Sequence, residues 1–122
     1  MALDTVAFVD TPVEDEKIQA IGKIAHTFLF VLHDGEIVHR NTAVKLVAEE
    51  LEVLDDDSDK ETIELVIDRL TPYLDVMLET GFLISRPQKS VMIAPKGLEA
   101  LVDHEGTFDS TFLGTHLPQL IA

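Results

Sequence analysis

At Gly81 the chain changes its period. Upstream, from about Asp59 to Glu79, apolar residues recur at helical spacing. Ile63, Val66, Ile67, Leu70, Leu74 and Met77 share one face at ~100° per residue. Downstream, Phe82-Leu83-Ile84-Ser85 and Val91-Met92-Ile93-Ala94 read as two strands around a turn at Arg86-Pro87-Gln88-Lys89-Ser90. A long helix that stops at a glycine and runs straight into a hairpin leaves few small folds open.

The other segments fill in around that unit. Leu3 to Val9 mixes Val, Phe and Thr and reads as a short strand or extended arm, ended by Thr11-Pro12. A first helix is predicted from about Glu14 to His33, with Glu14, Asp15 and Glu16 in its first turn. Ile18, Ile21, Ala25, Phe28, Leu29 and Leu32 form its apolar face. Ile24, Phe30 and Val31 widen that face, so the C-terminal half is expected to be buried nearly all round, and Gly35 is the natural stop. Glu36-Ile37-Val38-His39 is a short extended piece. A second helix then starts after Asn41 or Thr42, with Val44, Val47, Ala48, Leu51 and Leu54 as its stripe. Asp55-Asp56-Asp57-Ser58-Asp59 is an acidic loop, and Ser58 with Glu61 has the spacing of a capping box for the third helix. Pro72 is expected to kink that helix rather than divide it at Thr71. Pro95-Lys96-Gly97 leads into a last helix with Leu98, Leu101 and Val102. The tail from Phe108 carries Phe112, Leu113, Leu117, Leu120 and Ile121 and is too apolar to hang free, so it packs on the domain or on a partner. The organisation expected is an arm or strand over 1–13, a domain over 14–104 and an apolar extension over 105–122.

The order helix, short strand, helix, long helix, hairpin resembles the winged-helix (winged helix-turn-helix) superfamily. The local likeness is best from Leu74 to Leu101. Leu78-Glu79-Thr80-Gly81-Phe82-Leu83 looks like a recognition helix entering a wing, Ala94-Pro95-Lys96-Gly97-Leu98 looks like the wing's exit, and Gly35-Glu36-Ile37-Val38 is similar to the first strand. The resemblance spans about Glu14 to His104 and implies a mainly α single domain with a small β-hairpin. That fold serves both DNA-binding regulators and protein-contact modules, so it does not fix function.

Charge narrows the choice. Lys plus Arg number 9 against 23 Asp plus Glu, a formal net charge of −14. Such a field repels nucleic acid and anionic membranes and favours basic partners, although solubility or a salt-rich cytoplasm also selects acidic surfaces. There is no cysteine, which removes disulfides, thiolate zinc sites and cysteine nucleophiles. With no signal peptide and no apolar run of spanning length, a cytoplasmic location without membrane contact is expected.

Catalysis finds no support: Gly-x-Ser-x-Gly, the phosphate loop and the dinucleotide fingerprint are all missing, so no catalytic residue and no cofactor are expected. Asp55, Asp57 and Asp59 have the alternate spacing of a calcium loop. The match fails at Lys60, where glycine is needed, and at Val66, where the bidentate glutamate belongs. His26 and His33 lie on one helix face but not at ligand spacing, and His39, His104 and His116 are scattered, so no metal site is expected.

The candidate surface is the third helix. Glu61, Glu64, Asp68, Asp75 and Glu79 share its solvent side, where a DNA-binding winged helix needs Arg, Lys, Asn or Gln. The leading expectation is a non-enzymatic module that acts by protein contact. It would be an accessory subunit or a regulator seated on the basic surface of a nucleic-acid-handling partner, DNA mimicry being the sharper form. The rival is a small dimeric DNA-binding transcriptional regulator, for which Arg40, Lys45, Arg86 and Lys89 are the phosphate-contact candidates; between Thr80 and Leu98 there are three bases and no acid. A homodimer built through the C-terminal extension is a third reading.

Overall fold

The computed structural model describes the backbone of residues 2–121 and the side chains of residues 16–121. The protein is mainly helical with one small antiparallel sheet. In chain order the elements are α1 (Ala2–Phe30), β1 (Val38–His39), α2 (Arg40–Glu50), α3 (Lys60–Glu79), β2 (Leu83–Arg86), β3 (Ser90–Ile93), α4 (Pro95–Asp103), α5 (Ser110–His116) and α6 (Pro118–Ile121).

The first difference from expectation is at the N-terminus. Residues 2–13 are helical rather than an arm or strand, and Thr11-Pro12 does not end the element. The acids at 14–16 therefore stand inside α1, not in its first turn. Once a helix is nucleated, each added residue brings one backbone bond, so the packed half of α1 extends toward the N-terminus through one proline. The C-terminal half behaves nearly as expected. Ala25, His26, Thr27, Phe28, Leu29 and Leu32 are buried, but Phe30 is 46% exposed, so the apolar face does not close round the helix. Gly35, at φ +82°, ends the turn that follows, with its N–H donating to the Leu32 carbonyl (3.1 Å).

α2 starts earlier than Asn41 or Thr42. Its cap is His39, whose Nδ1 accepts from the Asn41 N–H (3.1 Å). Ala43, Val44, Val47 and Ala48 face the core without exposure. The cap of α3 is shifted by one residue from the expected box. Asp59 Oδ1 accepts from the Thr62 N–H (2.7 Å), while Ser58 Oγ accepts from the Asp55 N–H (2.9 Å) and so closes the preceding turn. α3 then runs unbroken through Pro72, and Thr71 spends its hydroxyl on the Ile67 carbonyl (2.6 Å) instead of capping a new helix. Leu70, Leu74 and Met77 carry its buried face, and Gly81 at φ +86° follows its end.

The two strands pair antiparallel with Leu83↔Ile93, Ile84↔Met92, Ser85↔Val91 and Arg86↔Ser90. Each lies within a residue of its predicted place, and the turn narrows to Pro87-Gln88-Lys89. β1 joins on the far side of β3, Val38↔Val91 and His39↔Ser90, which makes a three-stranded sheet in the order β1-β3-β2. One sheet face buries Leu83, Val91 and Ile93.

The C-terminal extension folds back on the chain's own core. Phe108, Phe112, Leu113 and Leu117 are buried there, and α5 and α6 lie against α1. Most of the extension's apolar area is thus removed from water within the chain, while Ile121 is 36% exposed. α4 is not the last helix, and of its expected apolar residues only Leu101 packs on the core. Gly97 and Ala100 form its buried side, while Leu98 and Val102 are 43% and 81% exposed.

Candidate functional site

Helix spacing sets the acidic row. Glu61, Glu64 and Asp68 stand three and four residues apart, so they are neighbours on the α3 surface. All three are exposed, and with Thr62 and Leu65 they line a shallow depression of about 440 Å³. Leu65 lies 53% exposed among them. None of the three carboxylates takes part in a salt bridge among the described residues. Glu61 does not reach back to the helix start, because Asp59 holds the cap, so the second role expected for it falls away. The Thr62 hydroxyl and N–H hold the Asp59 carboxyl below its ordinary value.

The C-terminal part of the row is different. Asp75 accepts from Arg40 Nη2 (2.6 Å), the one salt bridge among the described residues, across from α2. Asp75 thus has a structural partner, and that partner is one of the bases assigned to phosphate contact. Glu79 is exposed at the end of α3. The row thus splits into an unpaired half near the N-terminus of α3 and a half that is partly neutralised.

The bases gather elsewhere. In the sheet, His39, Ser90 and Arg86 form one cross-strand row. The Arg40 N–H donates to the Lys89 carbonyl (2.9 Å), and a depression of about 510 Å³ is lined by His39, Arg40, Asn41 and Lys89. Gln88 and Lys89 both hold positive φ, 63° and 58°, so the hairpin tip is a tight non-glycine turn anchored by that bond. Arg40 and Lys89 therefore share one corner, and Arg86 stands in the cross-strand row beside it. Lys45, exposed on α2, does not join them: five residues on from Arg40 it points ~140° round the helix. The N-terminus of α2 is not an open anion cradle there, since its first two N–H groups already donate to the Lys89 carbonyl and the His39 ring.

The remaining candidates find structural duties. Asp55 Oδ1 accepts from the Asp57 N–H (2.9 Å) and the Ser58 hydroxyl (3.2 Å), which uses the acidic loop to shape a turn. His26 is buried and its Nε2 donates to the His104 carbonyl (2.9 Å). His104 and His116 flank Phe112 with ring centroids at 4.7 Å each, and Phe112 stacks on Phe108 at 4.1 Å. His39 stands apart from them at the start of α2. This aromatic and imidazole stack seats the C-terminal extension. Only Phe112 and His116, one turn apart on α5, are neighbours by local spacing; His104 and Phe108 come from the end of α4 and the loop after it. Among the described residues, no group of His, Asp and Glu is arranged to hold a metal ion, and no helix is long and apolar enough to cross a membrane.

Compared with known proteins, the chain matches no family model, no curated protein and no solved structure.

Proposed function

We propose that this protein is a non-enzymatic winged-helix module that acts by contact with a basic surface on a nucleic-acid-handling partner, as an accessory subunit or regulator in the cytoplasm. One observation carries the reading. The outward face of α3, which in that fold meets the major groove, holds Glu61, Glu64 and Asp68 around the exposed Leu65, with no salt bridge among the described residues. Three carboxylates with an apolar residue at their centre suit a protein surface of Lys and Arg with an apolar patch. They do not suit phosphates, which they repel. In the sharper form the carboxylates stand in for phosphates. Glu61 and Asp68, seven residues apart, are separated by ~10 Å along the axis, a loose match to a strand.

The test is the double variant E64K/D68K. Both positions are exposed, so folding should change by no more than about 0.5 kcal/mol. A partner co-purified from the native host should associate more slowly with the variant at low salt, and the deficit should shrink as salt rises. An unchanged association rate at low salt would make this face a solvated surface and end the reading.

A DNA-binding regulator is the second reading, favoured by Arg40 and Lys89 sharing one corner with Arg86 in the strand row beside it. Two facts weigh against it: Arg40 is engaged by Asp75, and the net charge is −14. Random duplex DNA at physiological salt should show no measurable binding by fluorescence anisotropy. Micromolar binding with a steep salt slope would restore the regulator.

A further inference from the structure

A surface helix usually turns its large apolar residues inward, and α4 does so with only one of three. Its inner side is made of Gly97 and Ala100, with Leu101 half-buried against the core. A Cβ on Gly97 would stand 2.6 Å from the Phe82 carbonyl oxygen and 2.8 Å from Ile93 Cγ1, so the helix lies against the sheet too closely for any larger residue. Two of its three large apolar residues are left outside: Leu98 and Val102, one turn apart, are 43% and 81% exposed. Beside them, also one turn apart, run Glu99 and Asp103, and the four side chains line a shallow depression of about 410 Å³. The helix has a single base, Lys96, and it is turned elsewhere. Its Nζ donates to the Thr80 carbonyl (2.8 Å) and lies 4.5 Å over the Phe82 ring. The outer face is therefore an apolar stripe with a purely acidic flank.

We propose that this face of α4 docks a basic amphipathic helix of a partner protein. Leu98 and Val102 would cover its apolar stripe, and Glu99 and Asp103 would meet Lys or Arg on one edge of it. The charge decides the occupant. A wholly apolar partner would strand the two carboxylates at the rim. A second copy of this chain would bring Glu99 and Asp103 near their own equivalents between molecules that each carry −14. A helix with leucines on one face and lysines along its edge satisfies both stripes at i, i+4 spacing. The site lies on a different element from the acidic row of α3 and does not depend on it.

The test uses the full chain and a short fluorescein-labelled helical Leu/Lys peptide, with a scrambled peptide of equal composition as control. The amphipathic peptide should bind more tightly than the scrambled one and should shift the backbone amide resonances of α4. L98S/V102S should weaken it by at least about tenfold, since two apolar side chains lose their burial. E99K/D103K should weaken it at low salt and less at high salt. E64K/D68K should leave the α4 resonance shifts in place, which separates this site from the face of α3. Equal binding by L98S/V102S, shifts confined to α3, or no shift at millimolar peptide would each overturn the proposal. So would a wild-type dimer in sedimentation that L98S/V102S disperses, because the occupant would then be a second copy.

Discussion

Gly22 and Gly114 both stand inside helices, yet replacing each with alanine acts in opposite directions. In a helix interior alanine is favoured over glycine by about 0.8–1 kcal/mol. At Gly114 nothing lies within 4 Å of an added Cβ, so the whole preference is expressed and G114A should stabilise the protein by about 0.5–1 kcal/mol. At Gly22 the added Cβ would run into the Phe108 carbonyl oxygen and come within 3.1 Å of the Thr107 hydroxyl. A backbone carbonyl cannot swing aside, so the 107–108 segment must lift and take the buried Phe108 with it. Overpacking of this kind costs about 1–3 kcal/mol and outweighs the helix preference. G22A should therefore lower the urea midpoint and G114A raise it, both at unchanged slope. A G22A protein with a raised midpoint would mean that the extension is not held against α1. The contact at Gly22 is not legible in the sequence, because what that glycine meets comes from chain more than eighty residues away. Of the aromatic junction, only the Phe112–His116 pair, one turn apart on α5, follows from local spacing.

At the scale of elements, period carried more information than termini. The apolar repeat of α3 and the two runs after Gly81 locate a helix and a hairpin to within a residue, because burial on one side enforces the period. The caps do not follow, because several good cap residues are adjacent and only loop geometry chooses among them. Ser58 closes the turn with Asp55, which leaves Asp59 for the helix; at α2 the choice falls on His39, which no side-chain ranking would put first. That Leu98 and Val102 of α4 stay outside is likewise hidden, since it follows from how near the sheet lies. The acidic face was legible residue by residue, but the Arg40–Asp75 bridge was not, because it joins two helices. The cap is testable through its proton linkage. Asp59 is held below its ordinary value by Thr62, so its contribution is fully present above the unfolded value of about 3.9. That contribution is lost as pH falls through the lower folded value. D59A should melt below wild type at neutral pH, and the gap should close as pH falls from about 5 to below 3. E61A should leave the melting temperature nearly unchanged. A larger loss in E61A than in D59A would reinstate the Ser58–Glu61 box.

On the scale of the whole molecule, −14 on 122 residues is a cost that the fold carries wherever it is. Self-repulsion acts over ~30 Å in 0.01 M salt and ~10 Å in 0.1 M, so the urea midpoint should rise as sodium chloride is added. That rise alone says nothing of function, because a general acidic field produces it too. What separates a solvated field from a contact surface is whether the repulsion is concentrated. Glu64 stands between Glu61 and Asp68 at i−3 and i+4, and each such like-charge pair costs about 0.2–0.5 kcal/mol; Lys60 at i−4 offsets only one of the two. Glu105, exposed in the loop after α4, has no helical neighbours of that kind. Both single changes to lysine alter the net charge equally, so any difference between them is local. E64K should raise the low-salt midpoint more than E105K, and the difference should vanish by about 1 M salt, where screening reaches ~3 Å. A face whose repulsion is relieved by one added cation is one that a basic partner stabilises on docking. If E105K stabilises as much as E64K, the charge is spread evenly over the molecule. The α3 face then has no stored repulsion for a partner to relieve.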